Sequence, residues 1–381
     1  MNSKTLVIRN GTVIDPSLGL NGSYDVRVRG GLMEGVYAPG TLPAGDGTEQ
    51  ELEIDACGCI VTPGWIDLHA HLFPERAVLG VEADRVGIRQ GVTTLADAGS
   101  TGTAYFGRFA EEVIAASRTE VLAWLNIAEQ GLCEGRAELA DLSRLKVEQT
   151  VELVRAEPSI IGIKARMSGS VVKENGIRPL EIAKAAARTA NVPVMVHIGN
   201  APPRLGEVLD LLTAGDVVTH AFHGKAGGLF DADGRIIPEG VAALARGVRL
   251  DIGHGSASFS FKTMRRALEA RIGRYTVSTD IYRQNCEDGP VYSLAVTMSK
   301  LLALGIGLDD IIGAATSLPA QIAGRGEQLG TLRTGTIADI TIARVKEAET
   351  EFVDAEGERL AGTQVIEPEW TIKGGELHRC G

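Results

Sequence analysis

From about residue 60 to 325 the chain alternates short apolar runs with amphipathic segments. The apolar runs end at His71, Asp97, Ile127, Arg166, His197, Ala221, His254 and Asp280. Segments with helical spacing of apolar residues lie between them, clearest at 106–117, 146–156, 180–190 and 263–270. Near-continuous apolar strands are what burial on both faces demands. Eight strand-helix repeats of roughly 30 residues predict an α/β protein whose parallel strands close into a (β/α)8 barrel.

Both ends of the chain follow another grammar. Thr5-Leu-Val-Ile-Arg and Gly11-Thr-Val-Ile-Asp are β-branched runs broken at Asn10-Gly11, and Tyr24-Asp-Val-Arg-Val-Arg alternates with period two. Gly335-Thr-Ile-Ala-Asp-Ile-Thr-Ile-Ala and Glu369-Trp-Thr-Ile-Lys-Gly-Gly flank a polar hairpin. The pattern predicts a small, discontinuous β-sandwich assembled from 1–60 and 326–381 around a barrel spanning 61–325.

Composition narrows the function. With 381 residues, 44% hydrophobic and 23% charged, the chain has the profile of a globular enzyme. A net charge of −11 argues against nucleic acid or an anionic membrane as partner and leaves a small molecule. No stretch reaches the ~18 apolar residues of a membrane span, and the amino terminus has no signal-peptide core. The five cysteines form no CxxC pair and are read as buried thiols of a cytoplasmic protein.

The polar residues ending the apolar runs are the candidate chemistry, because barrel pockets form at the carboxyl ends of the strands. In Gly64-Trp-Ile-Asp-Leu-His69-Ala-His71 a period of two puts His69 and His71 on one side, a good pair of ligands for a zinc-like metal. Asp67 on that run orients a ligand histidine, pairs with a barrel cation or has a structural role. Lys164 ends Ile160-Ile-Gly-Ile-Lys164 and is costly to bury as an ammonium. It either reaches the rim or, as a neutral amine, reacts with CO2 to give a carbamate able to bridge two metals. His197 and His220 each end a later apolar run, in the same relative position. Asp280 ends the last, where a carboxylate can ligate a metal and also accept a proton.

This set resembles the amidohydrolase superfamily of metal-dependent hydrolases over essentially the whole chain. The resemblance implies two divalent cations, zinc by preference. His69, His71 and Asp280 would hold one, His197 and His220 the other, with carboxylated Lys164 between them and Asp280 as general base for an attacking water. Leu72-Phe-Pro, Gly162-Ile-Lys164-Ala-Arg166 and Thr219-His220-Ala-Phe-His223-Gly are similar to a branch of deacetylases often labelled dihydroorotase or adenine deaminase. The implied reaction is hydrolysis of an acyl amide or ester of a small carboxylic acid, of the N-acetyl-D-amino acid or acetylated 2-hydroxy acid type. The alternative is a cyclic amide hydrolase of the dihydroorotase or hydantoinase type.

Two departures weigh against the labels. A dihydroorotase carries HxHxR, and Phe73 stands at the arginine position; related deaminases carry HxxE, and His197-Ile-Gly-Asn200 lacks the acid. Some sugar deacetylases replace the lysine by a glutamate, for which Glu129 is the candidate. Arg166, two residues beyond Lys164, is the candidate clasp for a substrate carboxylate, with an ion pair at the rim as the alternative. His223, Tyr282, Tyr105 and His254 are further candidate substrate contacts, His254 equally one that merely satisfies its strand end. Relatives in this superfamily are commonly homo-oligomers, and one is expected here.

Overall fold

The computed structural model describes residues 5–43 and 51–381, so the first four positions of the amino-terminal run lie outside the described residues. Two sheets organise the chain. The first contains β1 (Thr5–Asp15), β2 (Leu20–Arg29), β3 (Leu32–Tyr37), β4 (Glu51–Asp55) and β5 (Ile60–Pro63), then β14 (Ile340–Val353), β15 (Arg359–Lys373) and β16 (Glu376–Arg379). Its order is β16-β15-β14-β5-β1-β2-β3, with β4 also on β1. The two runs expected at 5–9 and 11–15 are one strand. Asn10 takes a left-handed φ of 62°, and a register shift between Ile8 and Gly11 marks a bulge. The first half of β1 pairs with β4 and the second with β5, and Met33 N of β3 donates to Thr336 O, tying that edge strand to the segment leading into β14. One core fills the sandwich, with Leu6, Val28 and Met33 from one arm and Ile340, Ile342 and Ile372 from the other.

The second sheet is the barrel. Eight parallel strands follow in chain order: β6 (Trp65–Ala70), β7 (Val92–Ala98), β8 (Glu120–Asn126), β9 (Ile160–Met167), β10 (Val194–Ile198), β11 (Val217–Thr219), β12 (Arg249–Asp251) and β13 (Tyr275–Thr276). Closure comes past the end of β13, where Asp280 N donates to His69 O at 2.6 Å and His71 N to Ile281 O at 2.9 Å. The fold is therefore a (β/α)8 barrel with a small sheet layer built from both chain ends. The segments of helical spacing form helices Val147–Ala156, Arg178–Ala190 and Phe261–Glu269, while 106–114 winds as an α turn followed by a wider π turn.

Inside the barrel, Ile66, Leu68, Ala96, Leu122, Trp124, Met195 and Val217 pack into an apolar layer, covered from below by Ala320 and Ala323. Trp124 crosses this layer and donates its indole N–H to Leu68 O at 3.1 Å. The β6–β7 register shifts between Asp67 and Ala70; Leu68 joins the apolar layer, while the next residue, His69, contacts Lys164 and Asp280. All five cysteines are free thiols, but only Cys59 is buried; Cys57 is exposed and the others are half-buried, which corrects the expectation of buried thiols. Among the described residues no helix is long and apolar enough to cross a membrane.

Candidate active site

His69, His71, Lys164, His197, His220 and Asp280 converge above the apolar layer at the carboxyl ends of the strands. Asp280 Oδ1 lies 3.1 Å from His71 Nε2 and 3.3 Å from His69 Nε2, and its Oδ2 lies 4.0 Å from His220 Nε2. Lys164 Nζ is 3.3 Å from His69 Nε2, and the rings of His197 and His220 meet edge to face at 4.3 Å. Each of the six thus touches another. His220 and Asp280 reach this position with φ of 63° and 52°, a backbone cost that persists only where the surroundings enforce it. Gly99 and Gly255 allow the approach: a Cβ on Gly99 would lie 2.8 Å from the Lys164 stem, and one on Gly255 would lie 2.5 Å from Asp280 Oδ2.

The groups behind the histidines fix which nitrogen faces the site. Thr219 Oγ1 gives its one proton to Asp251 Oδ2 at 2.7 Å, so it can only accept from His69 Nδ1–H at 2.8 Å. His220 Nδ1 lies 2.6 Å from Gly253 O, a carbonyl that only accepts. Both rings therefore present an Nε2 lone pair inward, the second-sphere arrangement of metal-binding histidines. His71 Nδ1 rests 3.0 Å from Ser100 Oγ, and Ser100 N in turn donates to Asp97. Asp251 also accepts from Thr276 and Ser278, and these three hydroxyls offset the burial that pushes its pKa up. Asp67 is structural: it accepts from Thr279 and from His69 N, tying β6 to the segment that carries Asp280.

The electrostatics suit cations. Burial pushes the Lys164 ammonium down to about 7, so a neutral amine is accessible near neutral pH. Burial also lowers His69 to about 3, and lowers His197 and His220 well below the usual imidazole range. Asp280 stays ionised against its own burial because His69, His71 and His220 surround it. A residue set of neutral imidazoles and one carboxylate fits a divalent metal. Among the described residues His220 Nε2, which is buried, has no hydrogen-bond partner, and the ligand atoms of His69, His220 and Asp280 lie within 4.8 Å of one another.

The candidate substrate contacts are placed unequally. Arg166 pairs across strands with His197, and its Nη1 is held 3.0 Å from the buried carboxylate of Glu138. Tyr282 OH bonds Ser256 Oγ at 2.7 Å, beside Gly255 on the rim. His223 Nδ1 accepts from Lys225 N, while its buried Nε2 has no partner among the described residues; burial lowers its pKa to about 4. Tyr105 is held by Glu134 at the surface. Both ring nitrogens of His254 are engaged, Nδ1 by Gly255 O at 2.8 Å and Nε2 by Lys300 Nζ at 2.8 Å. Glu129 forms an ion pair with Arg144.

The amidohydrolase family model matches residues 60–365. The chain belongs to the amidohydrolase family. It is a hydrolase of carbon–nitrogen bonds on small molecules, in a family that typically binds divalent metals. A protein of Enterococcus faecalis named a deacetylase is 40% identical over 324 residues, covering 84% of this chain and 87% of its own length. A crystal structure described as an adenine deaminase superposes with a TM-score of 0.90 at 36% identity, covering 98% of this chain and 99% of that one. Another, described as a dihydroorotase, superposes with a TM-score of 0.89 at 31% identity, covering 99% of each chain.

Sequence reasoning missed the supporting groups Ser100, Thr219, Asp251 and Glu138. Thr219 and Asp251 are polar residues ending apolar strands, the same signal that singled out the histidines. Ser100 and Glu138 lie in loops and carry no such signal.

Proposed function

We propose that this amidohydrolase removes an acyl group from a small carboxylic acid, an N-acetyl-D-amino acid or an acetylated 2-hydroxy acid. The observation that carries the reading is the exchange of cations around the site. At the position where a dihydroorotase has its substrate-gripping arginine, Phe73 is buried against Phe109, ring centroids 5.5 Å apart. The cation available instead is Arg166 beside His197. Among the described residues only its Nη1 is engaged, by Glu138 and the Arg136 carbonyl, so Nε and Nη2 can take a carboxylate with two parallel hydrogen bonds. The deacetylase name of the relative at 40% identity supports the same chemistry.

In this reading His69, His71 and Asp280 would hold one divalent ion, and His197 and His220 a second, zinc by preference, with Lys164 as its carbamate between them. When bound, such ions supply Lewis acidity that acidifies water and polarises a carbonyl oxygen. Thr219 with Asp251 and the Gly253 carbonyl keep the imidazoles in the liganding tautomer. Asp280, with both oxygens turned into the cluster, accepts the proton of the attacking water and returns it to the leaving nitrogen or oxygen. Arg166 holds the carboxylate and so sets the distance of the acyl carbon from Asp280. The His197-Ile-Gly-Asn200 segment offers no glutamate for deaminase proton transfer.

Ring opening of a cyclic amide is the second reading, favoured by the overall match to the dihydroorotase structure. Assay of N-acetyl-D-amino acids and acetylated 2-hydroxy acids beside dihydroorotate decides between them. Release of acetate with no turnover of dihydroorotate is expected; turnover of dihydroorotate alone reverses the order.

A further inference from the structure

The face of the barrel opposite the active site carries a second concavity. A cavity of about 480 Å³ opens at the amino-terminal ends of β10–β13, against the short helix Ser317–Ile322. Arg188, Arg249 and Arg274 face it, from helix Arg178–Ala190, from the first residue of β12 and from just before β13. Among the described residues none of the three forms an ion pair. Arg188 donates only to the Lys184 carbonyl, and the guanidinium groups of Arg249 and Arg274 have no hydrogen-bond partner. The single acid on the wall, Asp216, is buried and already committed. It takes the Lys184 ammonium, the Thr213 N–H and hydroxyl, and Val194 N–H.

Lys184 and Asp216 cancel, leaving three uncompensated guanidinium groups around one hollow in a chain whose net charge is −11. The wall between them is apolar, with Val192, Leu318 and Ile322. Guanidinium groups select carboxylate or phosphate oxygens in paired hydrogen bonds, and the volume lies within the ~300–1,000 Å³ of small-ligand pockets. The hollow is separate from the catalytic centre. Asp216 stands four residues before His220 on the same strand run, and Arg274 stands six before Asp280. At ~3.3 Å per residue that is about 13–20 Å, with the Trp124 layer between.

We propose that this cavity binds an organic anion, its carboxylate or phosphate held between Arg249 and Arg274 and its apolar body laid against Leu318 and Ile322. Calorimetric titration of AMP, citrate and inorganic phosphate onto the purified enzyme tests it, with AMP against citrate separating phosphate from carboxylate recognition. Saturable binding of at least one of the two organic anions is expected. R249A/R274A should weaken it by about tenfold or more while leaving kcat/KM and the melting temperature as in the parent, since neither arginine has an acid to abandon. R274E, a change at an exposed position, should weaken it further than R274A. Inorganic phosphate, lacking a body for the apolar wall, should bind more weakly than the better organic anion. Equal affinity in parent and double variant would place the anion elsewhere and overturn the proposal. So would the absence of saturation by both organic anions up to ~10 mM, or phosphate binding as tightly as they do.

Discussion

Thr219 offers the sharpest test of how the site is held. Its hydroxyl accepts from His69 Nδ1–H at 2.8 Å and donates to Asp251 Oδ2 at 2.7 Å, fully buried. Thr219→Val keeps the shape and deletes the oxygen. The His69 Nδ1–H is then a buried donor without an acceptor, a cost of about 1–3 kcal/mol to folding. Asp251 loses less, because Ser278 and Thr276 still donate to it at 2.6 Å each. Without the acceptor behind it, the ring no longer has a reason to keep its proton on Nδ1 and its lone pair on Nε2. Loss of such a partner typically weakens metal binding by about 10–100-fold, equivalent to about 1.4–2.8 kcal/mol. The assay is zinc titration of metal-stripped enzyme against a competing chelator, with urea unfolding in parallel. Thr219→Ser, which keeps the oxygen, should retain zinc affinity close to that of the parent. If the valine variant unfolds more easily yet binds zinc as the parent does, the hydroxyl is only packing and the tautomer argument fails.

Further outcomes follow from the same geometry. Asp280→Asn should keep the fold and lose turnover by on the order of 10³-fold or more, read by steady-state kinetics; retention of activity would remove Asp280 from the proton path. Lys164→Ala should lose activity that formate or acetate partly restores by standing in for the carbamate oxygens; no restoration at any concentration counts against a bridging carbamate. Arg166→Met strands the buried Glu138 carboxylate, so it is best paired with Glu138→Gln. That double variant should raise KM for carboxylate substrates far more than for neutral esters, and equal effects would make the ion pair merely structural. The metal-free protein should weaken in acid. His69, His197, His220, His223 and His254 all have folded-state pKa values pushed down, chiefly by burial, to about 4 for His223 and about 3 for His69. The unfolded chain thus binds more protons below about 6.5, and each such histidine costs about 1.4 kcal/mol per pH unit until its folded value is reached. Urea midpoints that stay flat between pH 7 and 4.5 would contradict this.

The barrel was legible because burial on both faces leaves an unbroken apolar signature, and each of the eight expected strand ends falls within a few residues of an observed one. The bulge at Asn10 was not: a break in a β-branched run reads the same whether the strand ends or merely gains one residue. Neither was the register shift in β6 between Asp67 and Ala70, since strict alternation is all that a short apolar run implies.

The candidate ligands stood out because few side chains can bind a divalent cation and the chain has only seven histidines. Their supports did not, and the reason is physical. A second-sphere partner needs only an oxygen at the right point, which a threonine, a serine or a backbone carbonyl supplies equally well. Thr219 serves His69 from 150 positions away, Ser100 serves His71 from 29, and Gly253 serves His220 with no side chain at all. Arg166 shows the same limit from the other side. Period two implies that it follows Lys164 towards the pocket, but whether its charge is free depends on Glu138, 28 residues earlier on a loop. Strand-ending residue types therefore announce a candidate metal site, while the charge left over for substrate is a property of the folded neighbourhood. That is why Arg166 with Glu138, rather than the six ligand candidates, is where substrate preference should be probed.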